Sequence, residues 1–297
     1  MRILGKKVYR LRITYDIKNG NPTFLLELVF SRLEDNDQRR RPYDDLIGIE
    51  GSEKFSRYPK LIDLRNLELL EVPSAYSFNI FDILNRSFQN GTNIEYLRVT
   101  KLVEKDFKSF QKFIEKLSSL NFLFIKHLCS PFTETKNDYS LFSLSSLNTL
   151  YHLLIFECQK TNILSSDIVT ELLRKNPNLD CLEFGSMNVS FLRGVFRNFL
   201  ITEKTRKTNG KCGNSDMHVN LMYSGKQEDL LNILMDDINK LRNLKKLNVT
   251  FDHQTVPHFQ SNVDCKYCLK DRHKITKEVH LYDRTFTYMY THGKLEH

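Results

Sequence analysis

One spacing recurs through the middle of this chain: apolar-x-x-apolar-x-apolar. It reads Leu67-Leu70-Val72, Ile94-Leu97-Val99, Leu120-Leu123-Ile125, Leu150-Leu153-Ile155, Leu179-Leu182-Phe184 and Leu244-Leu247-Val249. The first five copies start 27, 26, 30 and 29 residues apart. The last gap, 65 residues, is divided into 39 and 26 by a degraded copy at His218-Leu221-Tyr223. Leucine supplies 42 of the 297 residues, so one copy carries little information; six copies at near-constant spacing constrain the fold. A period of this length marks a supersecondary unit that buries its apolar face only against its neighbours.

Each interval between copies carries a helix-period segment. Phe107, Phe110, Ile114 and Leu117 fall at i, i+3, i+7 and i+10 with Lys and Glu between them. Ser166-Asp167 opens a segment that runs through Ile168, Val169, Leu172 and Leu173 and stops at Asn176-Pro177. A third opens at Lys226–Asp229, with Leu231, Leu234, Ile238 and Leu241 on its apolar face and Asp236-Asp237 expected on its solvated one. Ile80–Phe88 is shorter and closes at Asn90-Gly91. Strand and helix therefore alternate. A stacked solenoid satisfies that pattern, and so does an ordinary α/β domain with parallel strands and crossover helices. The even spacing favours the solenoid.

The stretch Leu150-Tyr151-His152-Leu153-Leu154-Ile155-Phe156-Glu157-Cys158, continued through Asp167-Ile168 and Leu172-Leu173 to Asn176-Pro177-Asn178-Leu179-Asp180-Cys181-Leu182-Glu183-Phe184, resembles the cysteine-containing leucine-rich repeats of F-box proteins. Elsewhere the cysteine position is Ala75, Leu102, Leu128 or Met187, so the repeats diverge from that pattern. The resemblance implies an α/β leucine-rich-repeat solenoid, a horseshoe of about six to eight strand–helix repeats over residues 61–251. Non-repeat segments at 1–60 and 252–297 would cap it. It also implies a substrate receptor of a cullin-type ubiquitin ligase, whose F-box for the Skp adaptor is either degenerate, near Pro22–Leu33, or lost.

In a strand, alternate side chains face opposite ways. If the first, fourth and sixth repeat positions enter the core, the third, fifth and seventh line the concave face. Read through the repeats, that face carries Tyr96, Arg98, Phe122, Phe124, Lys126, His152 and Phe156. Aromatics rimmed by Arg and Lys make an expected protein-binding patch.

The two ends read differently. Arg10–Ile17 alternates polar and apolar residues, and Asn19-Gly20 would turn it into a hairpin returning through Phe24–Phe30. A competing reading makes Pro22, Leu25, Leu26, Val29, Phe30 and Leu33 one face of an F-box helix that docks the Skp adaptor. No second apolar helix follows the charged run Glu34–Arg41. Near the C-terminus, Cys265-x2-Cys268-x4-His273-x6-His280 has the donor softness of a structural zinc site, against the alternative of plain reduced cysteines in a cap.

Composition narrows the function. Forty-four basic against 36 acidic residues give +8 and a pI near 9.0, a balance short of a dedicated nucleic-acid binder. The basic tracts Gln38–Pro42 and Lys204–Lys211 read as solvated loops. No apolar run reaches a membrane-spanning length and no apolar signal core opens the chain, so a cytoplasmic or nuclear protein with six reduced cysteines is expected. No phosphate loop, nucleophile elbow or His-Glu-x-x-His motif occurs. The expectation is a non-enzymatic recognition module, without a required cofactor, that binds a partner protein on the concave face. A free-standing scaffold or inhibitor, and a basic nucleic-acid-associated protein with a C-terminal zinc, are the alternatives.

Overall fold

A computed structural model describes residues 8–18, 21–30, 43–50, 63–73, 80–130, 148–202, 216–241, 244–251, 254–264 and 274–283. The chain divides into two compact units, residues 1–127 and residues 128–297.

The first unit opens with β1 (Val8–Lys18), β2 (Asn21–Phe30) and β3 (Tyr43–Glu50), an antiparallel run in which Lys18 opposes Asn21. A parallel run follows: β4 (Asn66–Val72), then helix α1 (Ile80–Ser87), then β5 (Thr92–Val99). The short β6 (Leu102–Val103) and helix α2 (Phe107–Glu115) lead into β7 (Leu117–Cys129), which pairs parallel with β5. β1 joins the two runs by pairing parallel with β4, setting Arg10 beside Leu69 and Arg12 beside Glu71. The apolar positions of the recurrent spacing are all buried here: Leu67, Leu70, Val72, Ile94, Leu97, Val99, Leu120, Leu123 and Ile125. With them lie the amphipathic faces of α1 and α2, locked edge-to-face by Phe81 on Phe110 (5.1 Å) and Phe88 on Phe113 (5.2 Å). Gly91, at φ +85°, makes the left-handed reversal after α1 that a side chain would disfavour.

The second unit repeats the alternation with β8 (His152–Glu157), α3 (Asp167–Lys175), β9 (Cys181–Ser186), α4 (Val189–Ile201), β10 (Asp216–Tyr223) and α5 (Gln227–Lys240). It ends in β11 (Leu244–Phe251), β12 (Gln254–Asp264) and β13 (Lys274–Asp283). β8, β9 and β10 are parallel neighbours; β13 then pairs parallel with β10 and antiparallel with β12, and β11 closes the edge. The α4 N-terminus is capped by Asn188, whose side chain accepts from Phe191 N–H at 3.1 Å.

The solenoid expectation is overturned. A solenoid stacks its strands in chain order and in parallel, whereas the sheet in each unit is mixed, and β13 bypasses β11 and β12 to reach β10. The molecule is an α/β fold with five α-helices among the described residues. The period specifies a parallel neighbour reached through a helix, and any sheet with helical crossovers meets that condition. The F-box helix is also absent where the sequence suggested it. Pro22, Leu25, Leu26, Val29 and Phe30 lie in strand β2, and Leu33 lies outside the described residues. Here the hairpin turn and period-two alternation outweigh a helical face, because β2 finds partners on both sides in β1 and β3.

Buried polar groups tie the second unit together. Asn176, wholly buried, accepts from Leu150 N–H at 3.0 Å and donates to the Leu172 carbonyl. Glu157 accepts from the Ile163 and Leu164 amides, both at 2.9 Å, and from the Ser186 hydroxyl at 2.6 Å. The α5 face expected from Leu231, Leu234, Ile238 and Leu241 is rotated: Leu230, Leu234 and Asp237 are the buried residues. Asp237 enters because Arg193 and Arg197 of α4 pair with it, so a carboxylate expected in solvent is 2 % exposed. Cys129 and Cys158, expected as reduced thiols, form a disulfide with Cα atoms 5.2 Å apart. No helix among the described residues is long and apolar enough to cross a membrane.

Candidate functional site

Two open sheet faces carry the chemistry-bearing side chains, one in each unit. In the first unit, strand register places Arg12, Glu71, Arg98 and Phe124 side by side on β1, β4, β5 and β7. Glu27 on β2 opposes Arg12 and pairs with it at 3.1 Å. Glu71 accepts from Arg12 Nε and, at 2.9 Å, from Arg98 Nη1. Burial pushes the Glu71 carboxyl up, but the hydrogen bonds from Arg12 and Arg98 prevail and hold it below its ordinary value. The ladder ends where the Arg98 guanidinium lies 5.9 Å from the Phe124 ring centroid, a cation–π arrangement.

One row along, Leu69, Tyr96 and Phe122 are neighbours on β4, β5 and β7. The Tyr96 and Phe122 rings stack at 4.3 Å with an interplanar angle of 7°, and Phe124 continues the stack at 6.4 Å from Phe122. All three rings are half-buried. Burial, then Glu95 and Glu68, raise the Tyr96 phenol above its ordinary value, so it stays a neutral hydroxyl at physiological pH.

In the second unit, the open face is a polar field. One row reads His152, Cys181, His218, Glu278 and Gln260 across β8, β9, β10, β13 and β12. The adjacent row reads Leu154, Glu183, Asn220, His280 and His258. His152 Nε2 and Glu183 Oε1 are 2.7 Å apart, and burial, then Glu183 and Asp180, push the Cys181 thiol up, keeping it protonated. His218 Nδ1 meets Glu278 Oε2 at 3.0 Å, and Gln260 Nε2 donates to Glu278 Oε1 at 3.1 Å. His258 and His280 face each other with ring centroids 4.4 Å apart. Burial lowers His258, and burial with its neighbour His258 lowers His280 to about 4, so both imidazoles are neutral at pH 7. Among the described residues, two groups have donors close enough for one metal ion: His152, Cys181 and Glu183, and His258, Glu278 and His280.

The expected binding residues are thus divided. Tyr96, Arg98, Phe122 and Phe124 come together on the first unit's open face, with half-buried Lys126 two residues beyond Phe124 on β7. His152 belongs to the second unit and is engaged by Glu183. Phe156 is buried, its ring lying against Gly185 where a Cβ would collide. Of the expected zinc ligands, Cys265, Cys268 and His273 lie outside the described residues. His280 stands six residues into β13, about 20 Å along the strand from its start. Its neighbours include Asn220 at 3.2 Å and the rings of His258, His218 and Tyr282. The sequence reading gave His218 only a repeat position and assigned no role to His258 or Glu278. The signal for Glu278 was available in its period-two alternation with His280 and Tyr282 against Val279 and Leu281. Comparison of the chain with protein-family models, with curated proteins and with solved structures finds no match.

Proposed function

We propose that this chain is a non-catalytic recognition protein that takes a partner protein on the aromatic strip of its first unit. The stack of Tyr96, Phe122 and Phe124, closed by Arg98, carries the reading. Rigid aromatics lose little side-chain entropy on binding, and aromatics with arginine dominate the energetics of protein interfaces. Arg98 is already oriented between Glu71 and Phe124, so the surface is organised before a partner arrives. The charge ladder Glu27–Arg12–Glu71–Arg98 runs beside the strip with alternating sign. A polyanion such as nucleic acid would meet carboxylates as often as guanidiniums there, which favours a protein partner.

The test compares affinity capture from cell extract by the full chain and by Tyr96→Ala/Phe124→Ala, followed by binding of the recovered protein at low and high salt. The reading expects at least a tenfold loss with unchanged circular dichroism, and little dependence on salt. Equal capture by the folded variant, or binding that collapses with added salt, would overturn it.

A further inference from the structure

The polar face of the second unit holds one arrangement that protein recognition does not use. His258 is 6 % exposed, yet neither of its ring nitrogens has a hydrogen-bond partner. A buried imidazole in that condition loses its water without replacement, and native proteins rarely leave such groups unmet. The nearest acceptor, Glu278 Oε2, stands 3.7 Å from His258 Nε2. That is long for a hydrogen bond. It is close to the separation of about 3.3–3.5 Å that two ligands adopt around a tetrahedral zinc at about 2.0–2.2 Å from each.

We propose that His258, Glu278 and His280 form a binding site for a divalent transition ion of the zinc class. One donor atom from each lies within 4.8 Å of the others. His258 and His280 are directly opposed on β12 and β13, and Glu278 follows two residues from His280 on the same face. The surroundings supply the outer contacts that metal ligands need. Asn220 Oδ1 faces His280 Nδ1 at 3.2 Å, which favours the tautomer with Nε2 as the basic nitrogen. Gln260 holds one oxygen of Glu278 and His218 the other, so the carboxylate is oriented from both sides. Asn220, Gln260 and His218 are positioning residues in this assignment. Two imidazoles and one carboxylate suit zinc, cobalt or nickel, and lack the oxygen-rich shell that calcium or magnesium requires. The neighbouring group of His152, Cys181 and Glu183 is weaker by comparison, because its imidazole already has the Glu183 carboxylate as a partner whereas both nitrogens of His258 are unmet. The ion would clamp β12 to β13, the strand inserted beside β10 out of chain order.

The experiment strips the purified full chain with a chelator, titrates Zn2+ against a chromogenic competitor, and follows thermal unfolding with and without the ion. One tight equivalent and a raised Tm are expected. His258→Phe should weaken binding by about 100-fold or more, and its metal-free form should melt above the metal-free wild type, because the unmet nitrogens are gone. Glu278→Gln, which preserves shape, should lose the equivalent, and Asn220→Ala should weaken binding by about 10- to 100-fold. Cys265→Ser/Cys268→Ser should bind as the wild type does. Absence of a tight equivalent in the wild type would overturn the assignment. So would an equivalent that both His258→Phe and Glu278→Gln retain, or one that the double cysteine variant loses.

Discussion

Arg193 on α4 grips Asp237 on α5 with two parallel hydrogen bonds, Nε to Oδ2 at 2.6 Å and Nη2 to Oδ1 at 3.0 Å. The bidentate fork is the strong form of this contact, and Arg197 adds an ion pair at 2.8 Å. Hydrogen bonding from Arg193 holds the Asp237 carboxyl below its ordinary value. A carboxyl depressed on folding stabilises the protein above its unfolded pKa of about 4, and that contribution is lost as pH falls through the folded value. Asp237→Asn should lower the unfolding free energy by about 1–2 kcal/mol at pH 7, with the difference closing in acid. Urea titrations of both proteins at pH 7, 5 and 3 check this; a gap that stays constant to pH 3 would refute it.

Lys277 closes the other end of α4. Its ammonium donates to the carbonyls of Phe199 at 2.8 Å, Leu200 at 3.1 Å and Thr202 at 2.6 Å, where a helix leaves acceptors unmet. Lys277→Met keeps the apolar stem and strands those carbonyls, so a loss of about 2–3 kcal/mol is expected in chemical denaturation. A variant as stable as the wild type would mean that water replaces the ammonium there.

Asp106, at the start of α2, has the opposite pH signature. It is 4 % exposed with Oδ1 unpaired, and burial pushes its carboxyl up to about 6. The folded state keeps the proton longer than the unfolded chain, so stability declines as pH rises from about 4 to about 6 and is then level. Asp106→Asn should remove that decline and melt above the wild type at pH 7.5, by about 1 kcal/mol in unfolding free energy, but not at pH 4. Parallel melting curves at the two pH values decide the point.

Glu71 separates two guanidiniums. Its replacement by Gln leaves Arg12 and Arg98 facing each other on neighbouring strands of the first unit. The pairs are partly exposed, so the expected loss is about 1 kcal/mol at low ionic strength, shrinking in high salt. A loss that does not change with salt would assign the effect to packing rather than charge.

The leucine spacing alone located β4, β5, β8 and β9 and picked out core residues on each, because the strand period sends alternate side chains away from water; on β8 it missed Leu154 and Phe156, which are buried as well. The same local chemistry marked α1, α2 and α3, and the Asn19-Gly20 turn marked the β1–β2 hairpin. It also brought Tyr96, Arg98, Phe122 and Phe124 to one face, since parallel strands in register align equivalent repeat positions.

Other features depended on pairings that no sequence window contains. The passage of β13 past β11 and β12 to reach β10 turned an expected solenoid into a mixed sheet. That insertion also set His280 and Glu278 beside Asn220 and His218, while the β12 hairpin brought His258 opposite. Asp237 reads as a solvated residue until α4 supplies Arg193 and Arg197. Cys129 and Cys158 pair across a separation of 29 residues. The sequence by itself determined which side chains leave water and on what period. Only the tertiary structure decided which strands become neighbours, because backbone hydrogen bonds carry no residue identity and partner choice rests on packing summed over the whole unit.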